Sequence, residues 1–597
     1  MTMIMRGLAM TVSLAVLAVA GCGKGEEQEA QTTPAAQVEA AAEAADASPE
    51  AKTSPWGDYV DAFLSDYFPL NPTFAVYQGR HEFDGALPDW SEDGLRAQID
   101  LRKKAIADAI AVDGATISEA EQFERDYLIH VMEGELFWLE GADWPHKNPS
   151  YYSWALDPNV YIARPYADAE TRMKAFIKYA SNAPAAAEQI KANLELPLPK
   201  TYLKYGQAAF SGFADYFTGD AKAAFAEVTD EALQAEFDEA AAAAATAMQA
   251  LSDHIGSVPA TEDGYALGAE KFSAMVRRTE GVDVSLEELE AIGRADLKRN
   301  QDMLAEACGK FAPGASIVDC MARMAANKPE NGPVQEARDQ LPPLRAFLVE
   351  KDLVSIPGTE EALVEESPPY NRQNSAYIDI PGPYETGLPS VYYISPPDPS
   401  WDEETRANYI PGKMDLLGTT IHEVWPGHFL NFLHANRAES LFGKLFVGYA
   451  FAEGWAHYTE EMMLDAGLHD GDPETRIGQL TNALLRNCRY LSAIGLHTQG
   501  MTVDESFEMF RNECYQDAGN AMQQAARGTY DPAYLNYTMG KLMIRKLRED
   551  WTAANFPDGG ERAGWKEFHD EFLSYGGPPV PLVRKAMMNE DAPKAVF

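Results

Sequence analysis

Strand-forming sequence is almost absent from this chain, and that scarcity constrains its fold more than any other feature. Among 597 residues, β-branched and aromatic runs bounded by turn formers stand out only between Ser375 and Ile394. There Ala376–Ile380 and Ser390–Ile394 flank a Pro/Gly-rich stretch, which reads as a small sheet or hairpin. Elsewhere helix signals dominate. Ser118-x-x-Glu121, Ser285-x-x-Glu288 and Thr502-x-x-Glu505 are capping-box pairs, each opening a segment of helical period. Six consecutive alanines, Ala240–Ala245, give a strong helix former with a small-residue packing face. The pattern predicts a mainly α fold, a large helical body with a small β element around residues 375–394. No internal repeat and no Pro/Gly/Ser linker interrupts the sequence after residue 54, so residues 55–597 read as a single domain.

The N-terminus carries an address. One arginine precedes an apolar run from Leu8 to Ala20, too short to span a bilayer but suited to an export signal. Val19-Ala20-Gly21-Cys22 resembles a bacterial lipobox. On that reading residues 1–21 are a removed leader and Cys22 is the lipidated first residue, with an outer-membrane destination favoured by Gly23. Residues 22–54 are Ala/Glu-rich and lack aromatics up to the domain, which predicts a disordered tether. The chain is then an exported lipoprotein facing the periplasm, touching the membrane through its anchor alone. Of the remaining cysteines, Cys308 and Cys320 are the expected pair, a bridge that export permits. With 49 Lys+Arg against 92 Asp+Glu, the formal charge is −43, which repels phosphate backbones and excludes nucleic acid as a partner.

Chemistry concentrates in one region. Six of the 11 histidines fall between His422 and His497. The segment Thr419-Thr420-Ile421-His422-Glu423-Val424-Trp425-Pro426-Gly427-His428 resembles the HExxH device of zinc peptidases, in which two imidazoles hold the metal and the glutamate is the general base. The spacing departs from it. Six residues at about 100° each would set the two imidazoles roughly 240° apart on a regular helix. Pro426 breaks that helix, and Gly427 frees the backbone to bring His428 back. The alternative at this point is a helix end bearing two unrelated histidines. Downstream, Phe451–Glu460 supplies Glu453, His457 and Glu460 on one helical face, and a glutamate on a following helix is the third ligand in gluzincin peptidases.

Together, His422–His428 and Glu453–Glu460 resemble the hallmarks of a bacterial family called domain of unknown function 885, grouped with the zincin peptidases. Tyr67–Ala75, Arg489–His497 and Tyr537–Leu542 are similar to further motifs of that family, extending the resemblance over most of residues 56–597. The resemblance implies a zincin-like helical body with a deep cleft, binding one Zn2+ through His422, His428 and Glu453, with Glu423 as base. It implies that Glu460 orients a ligand imidazole and that His457, where relatives more often carry an apolar residue, either substitutes as a ligand, behind Glu453 in rank, or lies beside the site. His497 and Tyr537 become candidate donors to a developing oxyanion, although Ala493 replaces a common aspartate nearby. Arg486 and Arg489 become candidates for holding a substrate carboxylate. The activity expected is zinc-dependent hydrolysis of short peptides. A metal-dependent amidase or esterase, or a catalytically silent binding lipoprotein, are the competing readings.

Overall fold

Helix caps written in the sequence do close helices in the structure, a computed structural model that describes residues 54–368, 372, 375–560, 562–590 and 596–597. The expected leader, Cys22 and the tether up to residue 53 lie outside the described residues. Ser54, assigned to the tether, is instead the N-cap of α1 (Pro55–Leu70), its hydroxyl accepting from the Gly57 N–H. The principal helices that follow are α2 (Glu92–Ala111), α3 (Glu119–Leu136), α4 (Ala169–Asn193), α5 (Lys200–Thr218), α6 (Glu231–Ile255), α7 (Ala269–Glu280), α8 (Leu286–Phe311) and α9 (Pro333–Lys351). After the sheet come α10 (Lys413–Glu423), α11 (His428–Ala435), α12 (Tyr449–Asp465), α13 (Pro473–Thr498), α14 (Ala518–Tyr530) and α15 (Asn536–Asn555). Ser118 forms a complete capping box at α3, and Thr502 does so at the helix Val503–Asn512. Ser285 caps α8 through the Glu288 N–H.

Residues 54–597 make one unit with three apolar clusters. The alanine run lies in α6, where Ala240, Ala241 and Ala244 face α4 and α5 in the second cluster. The sheet has the order β1-β3-β2, with β2 (Ala376–Asp379) antiparallel to β3 (Val391–Ile394), as the sequence suggested. The third strand, β1 (Leu363–Glu366), pairs parallel to β3 and is too short and polar to be read as a strand beforehand. Cys308 is bonded to Cys320 as expected, and Cys488 of α13 is bonded to Cys514. Among the described residues no helix is long and apolar enough to cross a membrane.

The largest cluster surrounds α12, α13 and α15. Helices α12 and α15 cross at Gly454 and Gly540, so close that a Cβ on Gly540 would lie 2.0 Å from the Ala450 carbonyl oxygen. That contact is backbone on backbone, which no rotamer change can relieve. Glycine at 540 therefore sets the crossing, and with it the position of Tyr537 one turn earlier. Gly540→Ala is expected to lower unfolding stability by about 3 kcal/mol through overpacking. Urea denaturation checks this, and an unchanged midpoint would show that the helices can separate at little cost.

Glu280, at the end of α7, is buried where α12 and α15 begin. It accepts from the Ala450 N–H and from the Asn536 amide. Burial pushes its carboxyl up to about 8, against those bonds. The folded protein thus holds a proton that the unfolded chain releases above the ordinary carboxylate range. Its contribution to stability is complete below that range and is lost as pH rises through about 8. Glu280→Gln, which keeps the shape without the ionisation, should gain stability relative to the wild type between pH 5 and pH 8. Thermal unfolding at both pH values measures the difference, and a pH-independent gap would contradict a protonated Glu280.

Candidate metal centre

The two histidines meet because α10 stops at Glu423. Val424 leaves helical geometry (φ −122°, ψ −76°), the Trp425–Pro426 bond is cis, and the Gly427 N–H donates to the Ile421 carbonyl. A Cβ on Gly427 would fall 1.7 Å from the His422 carbonyl oxygen, so only glycine permits this return. His428 then opens α11. The turn is pinned from α12: the Trp455 indole N–H donates 2.8 Å to the Pro426 carbonyl, with both groups buried. From below, the Thr420 hydroxyl donates to Gln340 of α9.

Nε2 of His422 stands 3.2 Å from Oε2 of Glu453, and Nε2 of His428 stands 3.3 Å from the same oxygen. All three atoms lie within 4.8 Å of one another. The two rings are edge to face, 4.7 Å apart. Side-chain exposure rises from 6% at His422 through 13% at His428 to 21% at Glu453, while the Glu453 Oε2 that faces the histidines is itself buried. Cavities of about 470 and 270 Å3 lie elsewhere, neither lined by these residues.

Glu460, with no exposure, holds the imidazole from behind. Its Oε1 is 2.8 Å from His422 Nδ1, while Arg486 Nη2 is 3.2 Å from the same nitrogen. The carboxylate is nearer and can only accept, so the Nδ1–H donates and Nε2 is the nitrogen that faces Glu453. Arg486 also pairs with Glu460 at 2.9 Å. Despite burial, Arg486 and the neighbouring imidazoles hold Glu460 far below the usual carboxylate range. His422 is pushed up to about 9: burial and Arg486 oppose its protonation, and Glu453 and Glu460 outweigh them. Glu453 is held well below its ordinary value, against burial, by His428 and His422. Glu423 is buried, makes no hydrogen bond among the described residues, and is pushed up by desolvation.

The structure sorts the remaining candidates. Tyr537 lies beside the group, its ring 6.4 Å from that of His422 at 19°. His457 is fully buried behind Glu460, its Nδ1 3.4 Å from Oε2 without hydrogen-bond geometry; burial lowers it to about 4, and it does not join the His422–His428–Glu453 group. Arg486, a candidate for substrate, is committed to Glu460. His497, a candidate oxyanion donor, is committed to backbone. Its Nε2–H donates 2.7 Å to the Gly528 carbonyl and its Nδ1 accepts from the Leu267 N–H. No N–H remains to it, and three turns of α13 separate it from Arg486. Trp455 and Gly540 are the positioning residues that sequence reasoning left unassigned, although both stand inside the motifs it singled out.

This geometry belongs to a helical protein with a preformed His/His/Glu group. The description "Bacterial protein of unknown function (DUF885)" matches residues 72–587, and the chain belongs to that family. Two solved structures share its fold. One is a candidate lipoprotein of unknown function from Shewanella oneidensis, 23% identical, with 90% of this chain and 100% of that one covered and a TM-score of 0.73. The other is a candidate lipoprotein from Colwellia psychrerythraea, 16% identical, with 90% and 99% covered and a TM-score of 0.73. No curated protein matches the chain.

Trp455→Phe keeps the ring and removes the N–H that holds the Pro426 carbonyl. Chelator competition should show zinc affinity reduced about tenfold, in line with losses of outer hydrogen bonds at metal sites. Unchanged affinity would mean that the turn holds its shape without α12.

Proposed function

We propose that this chain is a zinc-dependent hydrolase, a peptidase acting on short peptides, exported and anchored by a lipid on Cys22. The observation that carries the reading is the convergence of two imidazole Nε2 atoms and a carboxylate oxygen on one point. Oε2 of Glu453 is buried and has no hydrogen bond there. Two imidazole nitrogens and a carboxylate oxygen within 4.8 Å of one another form a His/His/Glu set, and such a set suits zinc. Export is supported by the leader pattern, by two disulfides, which persist in oxidising compartments, and by the lipoprotein descriptions of both structural relatives.

Zinc held by His422, His428 and Glu453 supplies Lewis acidity toward a carbonyl and lowers the pKa of water. The chain's own residues do the rest. Glu423 is free of hydrogen bonds and adjacent to His422, so it takes the proton of the attacking water and delivers it to the leaving nitrogen. Its raised pKa suits both halves of that exchange. The Tyr537 hydroxyl makes no hydrogen bond among the described residues and donates to the carbonyl oxygen as charge develops. Glu460 and Arg486 keep the His422 ring in one orientation throughout.

Glu423→Gln should bind one zinc per chain and lose at least about a hundredfold in peptide hydrolysis, the usual worth of general base catalysis. Metal analysis and a peptide-library assay measure both quantities. Protein purified without chelator that carries no stoichiometric metal would overturn the reading, and so would a fully active variant.

A further inference from the structure

Beside the metal group lies a guanidinium with no counter-ion. Arg489 is 9% exposed. Its Nε donates 2.8 Å to Gln524, its Cζ stacks 4.8 Å above the Tyr537 ring, and no carboxylate among the described residues pairs with it. Its two charged neighbours are satisfied otherwise. Arg486, also over the Tyr537 ring, pairs with Glu460; Arg527 pairs with Asp531 at 2.8 Å and reaches the Tyr449 hydroxyl at 3.1 Å. Three arginines thus share two carboxylates, and the surplus charge falls on Arg489. A buried charge without a partner costs several kcal/mol, so a chain with 92 acidic residues would not leave one there by default. The unpaired Nη atoms form a planar fork matched to a carboxylate.

We infer that Arg489 receives the free C-terminal carboxylate of a peptide whose scissile bond lies at the His422–His428–Glu453 group. Tyr537 is the ruler: its ring centre is 6.4 Å from that of His422 and 4.8 Å from the Arg489 Cζ, so the guanidinium lies within about 11 Å (6.4 plus 4.8) of the His422 ring. One peptide residue spans about 3.5 Å, so that separation accommodates one or two residues beyond the scissile bond. Half-buried Tyr449, Glu453 and Arg527 border this stretch. The inference rests on the proposed hydrolase reading and specifies it as exo-cleavage from the C-terminus. One water is consumed: the C–N bond breaks, a C–O bond forms, and the water's proton passes through Glu423 to the departing amine. The products are a shortened peptide and a free amino acid or dipeptide.

The test is calorimetric binding of N-acetyl-trialanine and of its C-terminal amide to the zinc-supplemented full chain carrying Glu423→Gln, so that peptide is not consumed. The acid should bind at least about tenfold more tightly than the amide, as expected for a charged hydrogen-bond pair. The overall charge of −43 favours the amide, so an acid preference reports a local site. Adding Arg489→Gln should erase the preference. Arg489→Lys, which keeps the charge without the fork, should reduce it and serves where the glutamine variant does not fold. Equal affinities for acid and amide overturn the proposal, as does a preference that survives Arg489→Gln. Acid-selective binding by a wild type that hydrolyses nothing leaves this site standing and removes the hydrolase reading. Equal cleavage of acid and amide does the reverse.

Discussion

A carboxylate with no exposure to water stays ionised only if its surroundings supply the charge that water would. Glu460 meets that condition through Arg486 on one side and His422 on the other, and the rest of the site depends on this arrangement. It ties α12 to α13 and to the end of α10, three helices distant in sequence. It fixes the His422 ring so that Nε2, and not Nδ1, faces the opening. Removing either partner of such a buried pair leaves an uncompensated charge, at a cost of roughly 3–5 kcal/mol. The orientation of the imidazole is therefore as firm as the fold itself.

Two close contacts convert that firmness into geometry. Gly427 lets the chain double back over the His422 carbonyl, and Gly454 against Gly540 lets α12 and α15 touch along their backbones. Both exclude side chains by distance, and none of the three has a positive φ. The departure from four-residue histidine spacing is thus no defect. On a continuous helix imidazoles four residues apart share a face, and six residues apart, as here, they do not. Here a turn is inserted, and the indole of Trp455 holds it from the same helix that supplies Glu453.

Much of this was legible in the sequence, because much of it is local. Capping pairs, the alanine run and the strand candidates at residues 376–394 are written within a few residues of where they act. The grouping of His422, His428 and Glu453 came from motif spacing and resemblance, as did Glu460. What escaped was non-local. β1 exists because β3 offers it an edge, not because Leu363–Glu366 prefers extension. The Cys488–Cys514 bridge joins cysteines whose approach is decided by how α13 packs. His497 ends a segment similar to a family motif yet spends both nitrogens on backbone from residues 267 and 528, partners no periodicity could name. Arg486 and Arg489 looked alike in sequence. Only the third dimension, which gives Glu460 to one and nothing to the other, separates them.

The net charge of −43 describes the surface and misdescribes this centre. Around Tyr537 the cations are concentrated, with Arg486, Arg489 and Arg527 gathered beside Glu453, Glu460 and Asp531. Long-range forces and short-range recognition therefore act in opposition. Beyond a Debye length, about 10 Å at ordinary ionic strength, an anionic substrate meets weak net repulsion. Inside the opening it meets desolvated guanidinium, where the same charges interact far more strongly. Selectivity in such a site comes from the local pairing and not from steering. Added salt would screen repulsion at the surface while barely weakening a contact made at buried Arg489, so an anion would gain access to the opening without losing the guanidinium.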